Sequence, residues 1–229
     1  MINLLSSLLH LFYPHTCEGC GTDLGNTEEI LCLSCMRQLP VTGFQHHANN
    51  PVARIFYGRA KVLQAMAAYY YVRSTLLQRL IYQFKYHRRE DIALFLGRQT
   101  GHLLLQSRWI HEITGIVPVP MTAARERQRG YNQAAILANG IAAVTGKPVM
   151  NNILARTDQR TSQTTKNRLL RWQNVTASFM LNATSLPSRQ HVLLVDDVIT
   201  TGATTEACCR LLYDAGASVS VCSLAYAHH

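Results

Sequence analysis

The sequence predicts an α/β protein: a parallel sheet flanked by helices, preceded by a small N-terminal module held by four cysteines. Three observations carry this reading. Apolar runs of strand length alternate with helix-compatible segments, the pattern of repeated β–α–β units. One such run, Val192-Leu193-Leu194-Val195, leads into Asp196-Asp197 and a small turn, Thr200-Thr201-Gly202-Ala203-Thr204, before a helix-compatible segment over 204–213. Two Cys-x-x-Cys pairs, Cys17/Cys20 and Cys32/Cys35, stand eleven residues apart near the start.

Composition bounds the rest. The chain has 229 residues, room for one α/β domain and a small appendage, and at 48% hydrophobic it can bury a real core. Its formal charge is +9, and only Lys61, Lys85, Lys147 and Lys166 among its 22 basic residues are lysines. An arginine bias suits planar, bidentate recognition of phosphate and makes nucleic acid or an acidic protein the expected partner. No apolar run reaches the roughly 18–20 residues of a membrane span. Leu4, Leu5, Leu8 and Phe12 share one helical face, so residues 1–12 are expected to form a short amphipathic helix on the body of the protein. A peripheral membrane contact is the second reading of that helix.

The elements follow in order. Each Cys-x-x-Cys knuckle presents two thiolates, and two knuckles make a tetrahedral four-sulfur site of structural type, with Gly19 and Gly21 easing the turn. Seven cysteines, an odd number, argue against a secreted disulfide framework and for a cytoplasmic metal site. Residues 41–54 read as a polar linker, which divides the chain into 1–40 and 55–229. Residues 64–72 read as a strand. Ser74 is the expected N-cap of a helix through Leu76, Leu77, Leu80, Ile81 and Phe84. That helix ends in Lys85-Tyr86-His87-Arg88-Arg89. Lys85, Arg88 and Arg89 either complement the helix dipole or contact a polyanion such as DNA. A second helix is expected over 91–107.

Ile116-Val117-Pro118-Val119-Pro120 reads as a buried strand with a stiffened exit. Arg125, Arg127 and Arg129 follow, then Gly130-Tyr131-Asn132-Gln133; arginines at a strand's carboxyl end suit pyrophosphate, with Arg125 and Arg129 the candidates. A helix is expected over 133–145, closed by Gly146. Residues 155–175 carry Arg156, Arg160, Lys166, Arg168 and Arg171 and read as a mobile basic loop. From 118 to 175 there are nine Lys/Arg and two acids, so one face should be electropositive. Strands are expected at 177–181 and 218–224, and Cys208, Cys209 and Cys222 as buried thiols.

The chemistry concentrates after Val195. Backbone N–H groups of a tight loop opening a helix point at an anion, and the helix dipole favours negative charge there. Gly202 lets the backbone approach closely, and Thr200, Thr201 and Thr204 add donors around Ala203. Asp196 and Asp197 are acceptors for ribose hydroxyls or a hydrated Mg²⁺.

This stretch resembles the phosphoribosyl pyrophosphate (PRPP) motif of type I phosphoribosyltransferases. Taken with the four-cysteine knuckle, the V-P-V-P strand, the R-x-R-G-Y-N-Q segment and Ile81-Tyr82-Gln83-Phe84-Lys85-Tyr86, the whole order resembles the ComF family. The resemblance implies a zinc ribbon on Cys17, Cys20, Cys32 and Cys35 joined to a type I phosphoribosyltransferase fold. It implies a cytoplasmic role in natural transformation, with single-stranded DNA and DNA-uptake or helicase proteins as partners and the inner membrane nearby. Two readings of the pocket stand. One is PRPP binding without chemistry. The other is a working transferase using Mg²⁺-bound PRPP, with Asp196, Asp197 and Arg129 as its catalytic residues, Arg129 and basic residues of the 156–168 loop neutralising the departing pyrophosphate, and an unidentified acceptor.

Overall fold

The computed structural model describes residues 15–25, 27–157, 178–182 and 190–227. The amphipathic helix expected at 1–12 and most of the basic loop, including Arg160, Lys166, Arg168 and Arg171, lie outside the described residues. The strands are β1 (Ala65–Tyr70), β2 (Gly115–Pro118), β3 (Leu154–Arg156), β4 (Phe179–Leu181), β5 (His191–Ile199) and β6 (Ser218–Tyr226). The helices are α1 (Leu33–Met36), α2 (Pro51–Ile55), α3 (Leu76–Tyr86), α4 (Glu90–Leu105), α5 (Ala123–Arg129), α6 (Gln133–Thr145) and α7 (Ala203–Asp214).

The main sheet is parallel, in the order β1-β6-β5-β2. Val192 to Val195 pair with Gly115–Pro118 on one side and Val219–Cys222 on the other. All four are at most 1% exposed, so both faces of β5 are covered, as a parallel sheet requires. Helix α6 packs on β2 and β5, and α7 packs on β5 and β6. A second, antiparallel pair joins β3 to β4. β3 falls at the start of the segment that the sequence reads as a basic loop.

Helices α4 and α6 cross through glycine. A Cβ on Gly97 would lie 2.4 Å from the Leu137 carbonyl oxygen, and one on Gly140 the same 2.4 Å from that of Leu94. Backbone meets backbone there, and only glycine fits.

Residues 41–54 are not a linker. The Thr42 hydroxyl donates to the Ala67 carbonyl at 2.6 Å, and Asn50 Nδ2 donates to that of Ala65 at 2.7 Å. Asn50 Oδ1 also accepts from Val52 and Ala53 and caps α2. The polar side chains that suggest solvent are spent on the edge strand β1, while Phe44 and Val52 enter the core. The cap of α3 is Thr75, whose hydroxyl accepts from Gln78 N–H; Ser74 sits one place earlier with φ +58° and donates its own N–H to the Gln78 side chain. The expected N-cap is thus displaced by one residue. Cys17, Leu31, Cys35 and Leu39 belong to the same continuous apolar cluster as the sheet.

Candidate functional site

At the carboxyl edge of β2 and β5 a pocket of about 200 Å³ opens. The sheet places ligand sites at this edge because the loops leave it in different directions. Asp196 and Asp197 come from β5, Thr204 from α7, Arg125 and Arg129 from α5, Gln133 from α6, Arg156 from β3 and Lys85 from the end of α3. Lys85 Nζ stands 2.7 Å from Asp197 Oδ2. Asp196 accepts from the Asp197 N–H at 2.8 Å and from the Thr205 hydroxyl at 3.3 Å. Burial, and then the adjacent Asp197 carboxylate, push Asp196 up to about 7.

The same pocket holds a set of donors. Burial, reinforced by the nearby Arg125 charge, lowers the Arg156 guanidinium below its ordinary range. Its Nε is buried with no hydrogen-bond partner, and so is Nε2 of Gln133. Gln133 Oε1 accepts from Arg129 at 2.9 Å, which turns the amide nitrogen free. Unpaired buried donors are costly and a phosphate oxygen would satisfy them. The pocket therefore offers donors suited to an anion and carboxylates suited to a hydroxylated, cation-bearing group.

The structure brings together Asp196, Asp197, Thr204, Arg125 and Arg129 as the sequence expects. Arg127 does not line the pocket. Thr201, Gly202 and Ala203 form the turn that opens α7, with Gly202 at φ +71° as its N-cap. A Cβ on Gly202 would meet Ile55 Cγ2 at 2.5 Å, so the glycine is required by a packed methyl as well as by its backbone angle. Thr200 faces a neighbouring groove of about 720 Å³, shared with Tyr71, Arg79, Tyr82, Tyr86 and His87; Lys85 and Val198 line both cavities. The rings of Tyr82 and Tyr86 lie 4.9 Å apart, and Arg129 sits 5.6 Å over Tyr86.

Of the basic run that closes α3, Lys85 and Arg89 are paired and Arg88 is exposed. Lys85 is in the acid pocket. Arg89 pairs with Glu18 at 2.6 Å and Asp91 at 2.8 Å, and Arg88 lies against Gly130. Sequence reasoning does not place Lys85 or Gln133 in the pocket, and it reaches Arg156 only as one of the basic residues of the 156–168 loop expected near the pyrophosphate. The one signal for Lys85 is its position in the Ile81–Tyr86 segment.

The four cysteines gather within 4.8 Å of one another. A tetrahedral ion with bonds of about 2.3 Å needs sulfurs about 3.8 Å apart, and Cys20 and Cys32 are at 3.7 Å. The N–H groups of Gly19 and Cys32 both donate to Cys17 Sγ at 3.3 Å, as they would to a thiolate. Thr22 holds Cys20 down to about 6, while burial pushes Cys35 up to about 12. The cluster can hold zinc. A Cβ on Gly19 would strike Cys35 Sγ at 2.5 Å, so this glycine makes room for the cluster. Among the described residues no helix is long and apolar enough to cross a membrane.

Residues 127–229 match the phosphoribosyl transferase domain family. The chain is 28% identical to competence protein F of Haemophilus influenzae over 90% of this chain and 93% of that protein. It is 30% identical to the DNA utilization protein YhgH of Escherichia coli K12 over 84% of this chain and 82% of that one. Among solved structures it overlays on adenine phosphoribosyltransferase from Saccharomyces cerevisiae with a TM-score of 0.41 and 13% identity, over 62% of this chain and 72% of that chain. With this identity running through most of both chains and a phosphoribosyl transferase domain behind the cysteine cluster, the chain belongs to the ComF family.

Proposed function

We propose that this is a competence protein that handles single-stranded DNA in the cytoplasm, with a pocket for Mg²⁺-bound PRPP or a related 5′-phosphorylated nucleotide. One observation carries the pocket: two acceptor carboxylates and unpaired buried donors line one cavity of about 200 Å³, next to a helix-opening turn. Asp196 and Asp197 would take the ribose hydroxyls and the metal, Thr200–Thr204 the 5′-phosphate, and Arg125, Arg129 and Arg156 the pyrophosphate. Mg²⁺ would supply charge neutralisation across the diphosphate. Lys85 pairs with Asp197 and holds it in place until ligand arrives. The cysteine quartet would carry a structural Zn²⁺.

The relatives' names support the DNA reading, and so does the groove beside the pocket. Tyr82 and Tyr86 are 56% and 59% exposed and form an open stacking platform next to Arg79 and His87. Tyr131 is buried, its hydroxyl donating to the Phe84 carbonyl, and offers no open ring face to a base. The groove adds a stacking surface for a strand to the exposed cation Arg88, while Arg89 is paired with Glu18 and Asp91.

Calorimetry with Mg²⁺-bound PRPP tests the pocket. Asp197→Asn should weaken binding by about 1–3 kcal/mol, the range for a hydrogen bond to a charged group. Gly202→Val should weaken it further. Tyr82→Ala should spare PRPP and weaken an oligothymidylate, whose binding should fall steeply with salt. Wild-type affinity for PRPP in both pocket variants would place the ligand elsewhere. A working transferase is the second reading, favoured by the groove's shared wall with the pocket. Pyrophosphate release on adding an acceptor would establish it.

A further inference from the structure

Behind the helix-opening turn lies a charged cluster outside the pocket. Glu206, on the first turn of α7, has a side chain only 2% exposed. Its Oε2 is 2.5 Å from Arg59 and its Oε1 is 2.9 Å from Arg210. A carboxylate so deeply placed is tolerable only because two guanidiniums neutralise it. Arg59 has a second task. Its Nη1 donates to the carbonyl oxygens of Ile55 at 3.1 Å and Thr201 at 3.0 Å. Arg210 donates through Nε and Nη2 to the backbone carbonyl of Arg59, at 3.1 and 2.9 Å. The segment after α2, the turn and helix α7 are thereby tied at one point, with Ile55 packed under Gly202.

The peptide plane gives this cluster a consequence. In a trans peptide the carbonyl and the following N–H point in opposite directions. Arg59 is not part of the pocket wall, and it draws the Thr201 carbonyl toward itself. The Gly202 N–H, in the same peptide, is turned the other way. A carbonyl swung into the turn would repel an anion, whereas an N–H attracts one. We propose that Arg59, held by Glu206 and Arg210, is a positioning residue that fixes the 201–202 peptide with its N–H toward the anion site. This rests on the reading that the turn receives a 5′-phosphate. The pyrophosphate side, built from α5 and β3, does not depend on it.

That difference supplies the test. Ribose 5-phosphate and inorganic pyrophosphate are titrated separately into wild type, Arg59→Met, Arg59→Lys and Glu206→Gln, each checked for its melting transition. Arg59→Met should lose about tenfold or more in ribose 5-phosphate affinity, the scale of one charge-assisted hydrogen bond. Its pyrophosphate affinity should stay within about twofold, and Arg59→Lys should recover part of the loss. The Gly202 amide resonance should shift on adding ribose 5-phosphate to wild type and not to Arg59→Met. Unchanged ribose 5-phosphate affinity in Arg59→Met, or equal loss of both ligands, would overturn the positioning role while leaving the pocket standing. If wild type itself ignores ribose 5-phosphate, the pocket reading and this one fall together.

Discussion

Asp196 is the residue on which the pocket's pH behaviour turns. Its carboxyl is raised to about 7 by burial and by Asp197. An acid raised on folding keeps a proton that the unfolded chain has released, so this group costs stability as pH climbs from about 4 to about 7 and no further above that. Ligand binding runs the other way. A ribose hydroxyl or a metal needs the ionised carboxylate, so affinity for Mg²⁺-bound PRPP should rise toward neutrality, by at most about tenfold per pH unit, and level off above 7. Calorimetry across that interval, compared with Asp196→Asn, isolates the group, because the titration of the ligand's own phosphates is common to both proteins. Equal slopes in the two would remove Asp196 from the titration. At this scale the residues of one contiguous stretch were legible: Asp196, Asp197, Gly202 and Thr204 announce themselves by type and order. Gln133 does not. It is ordinary in its own segment and meaningful only where α6 arrives at the edge of β5, and Arg156 was legible only as one of several basic residues of its loop.

Among the elements, the α4–α6 pair makes the sharpest demand on sequence. Gly140→Ala adds a methyl 2.4 Å from the Leu94 carbonyl and 2.7 Å from the Gly97 Cα. Both are backbone atoms, so neither can rotate away. Helix propensity favours alanine by about 0.5–1 kcal/mol, while overpacking costs about 1–3 kcal/mol. The net should be a loss, seen as a melting temperature lower by several degrees, at about 2–4 °C per kcal/mol for a chain of this size. A higher melting temperature would mean that the helices separate without penalty. The strands and long helices were legible because burial on both faces writes continuous apolar runs and helical burial writes a 3.6-residue period. Residues 41–54 were misread because their polar groups serve β1, and a hydrogen bond to a strand edge leaves the same trace in sequence as exposure to water. β3 is three residues long and has no pattern of its own.

For the whole molecule, the cysteine module is seated on the helices that build the site. Glu18 pairs with Arg89, Glu29 pairs with Arg98, and Arg79 donates to the Gly19 carbonyl at 3.1 Å. Leu76, at the start of α3, lies against Gly19, and the same helix ends at Lys85 in the pocket. Cys32→Ser should abolish zinc binding, because a three-thiolate site loses both charge and closure. It should raise amide exchange over 15–40 and at the N-terminal turn of α3, and leave α6 and β5 protected. Exchange that rises equally in β5 would show that the module and the sheet unfold as one. The distribution of sulfur makes this easy to follow. Cys208, Cys209 and Cys222 are fully buried, and burial holds all three thiols well above their ordinary range. Thiols of that kind are inert toward alkylating reagents. A maleimide offered to the folded protein can thus react only at the quartet, and bound metal would shield that too. Labelling then reports metal loss: near zero for a loaded sample, rising at exposed Cys20 and half-buried Cys32 after chelation, and reaching seven only once the module and the sheet have both opened.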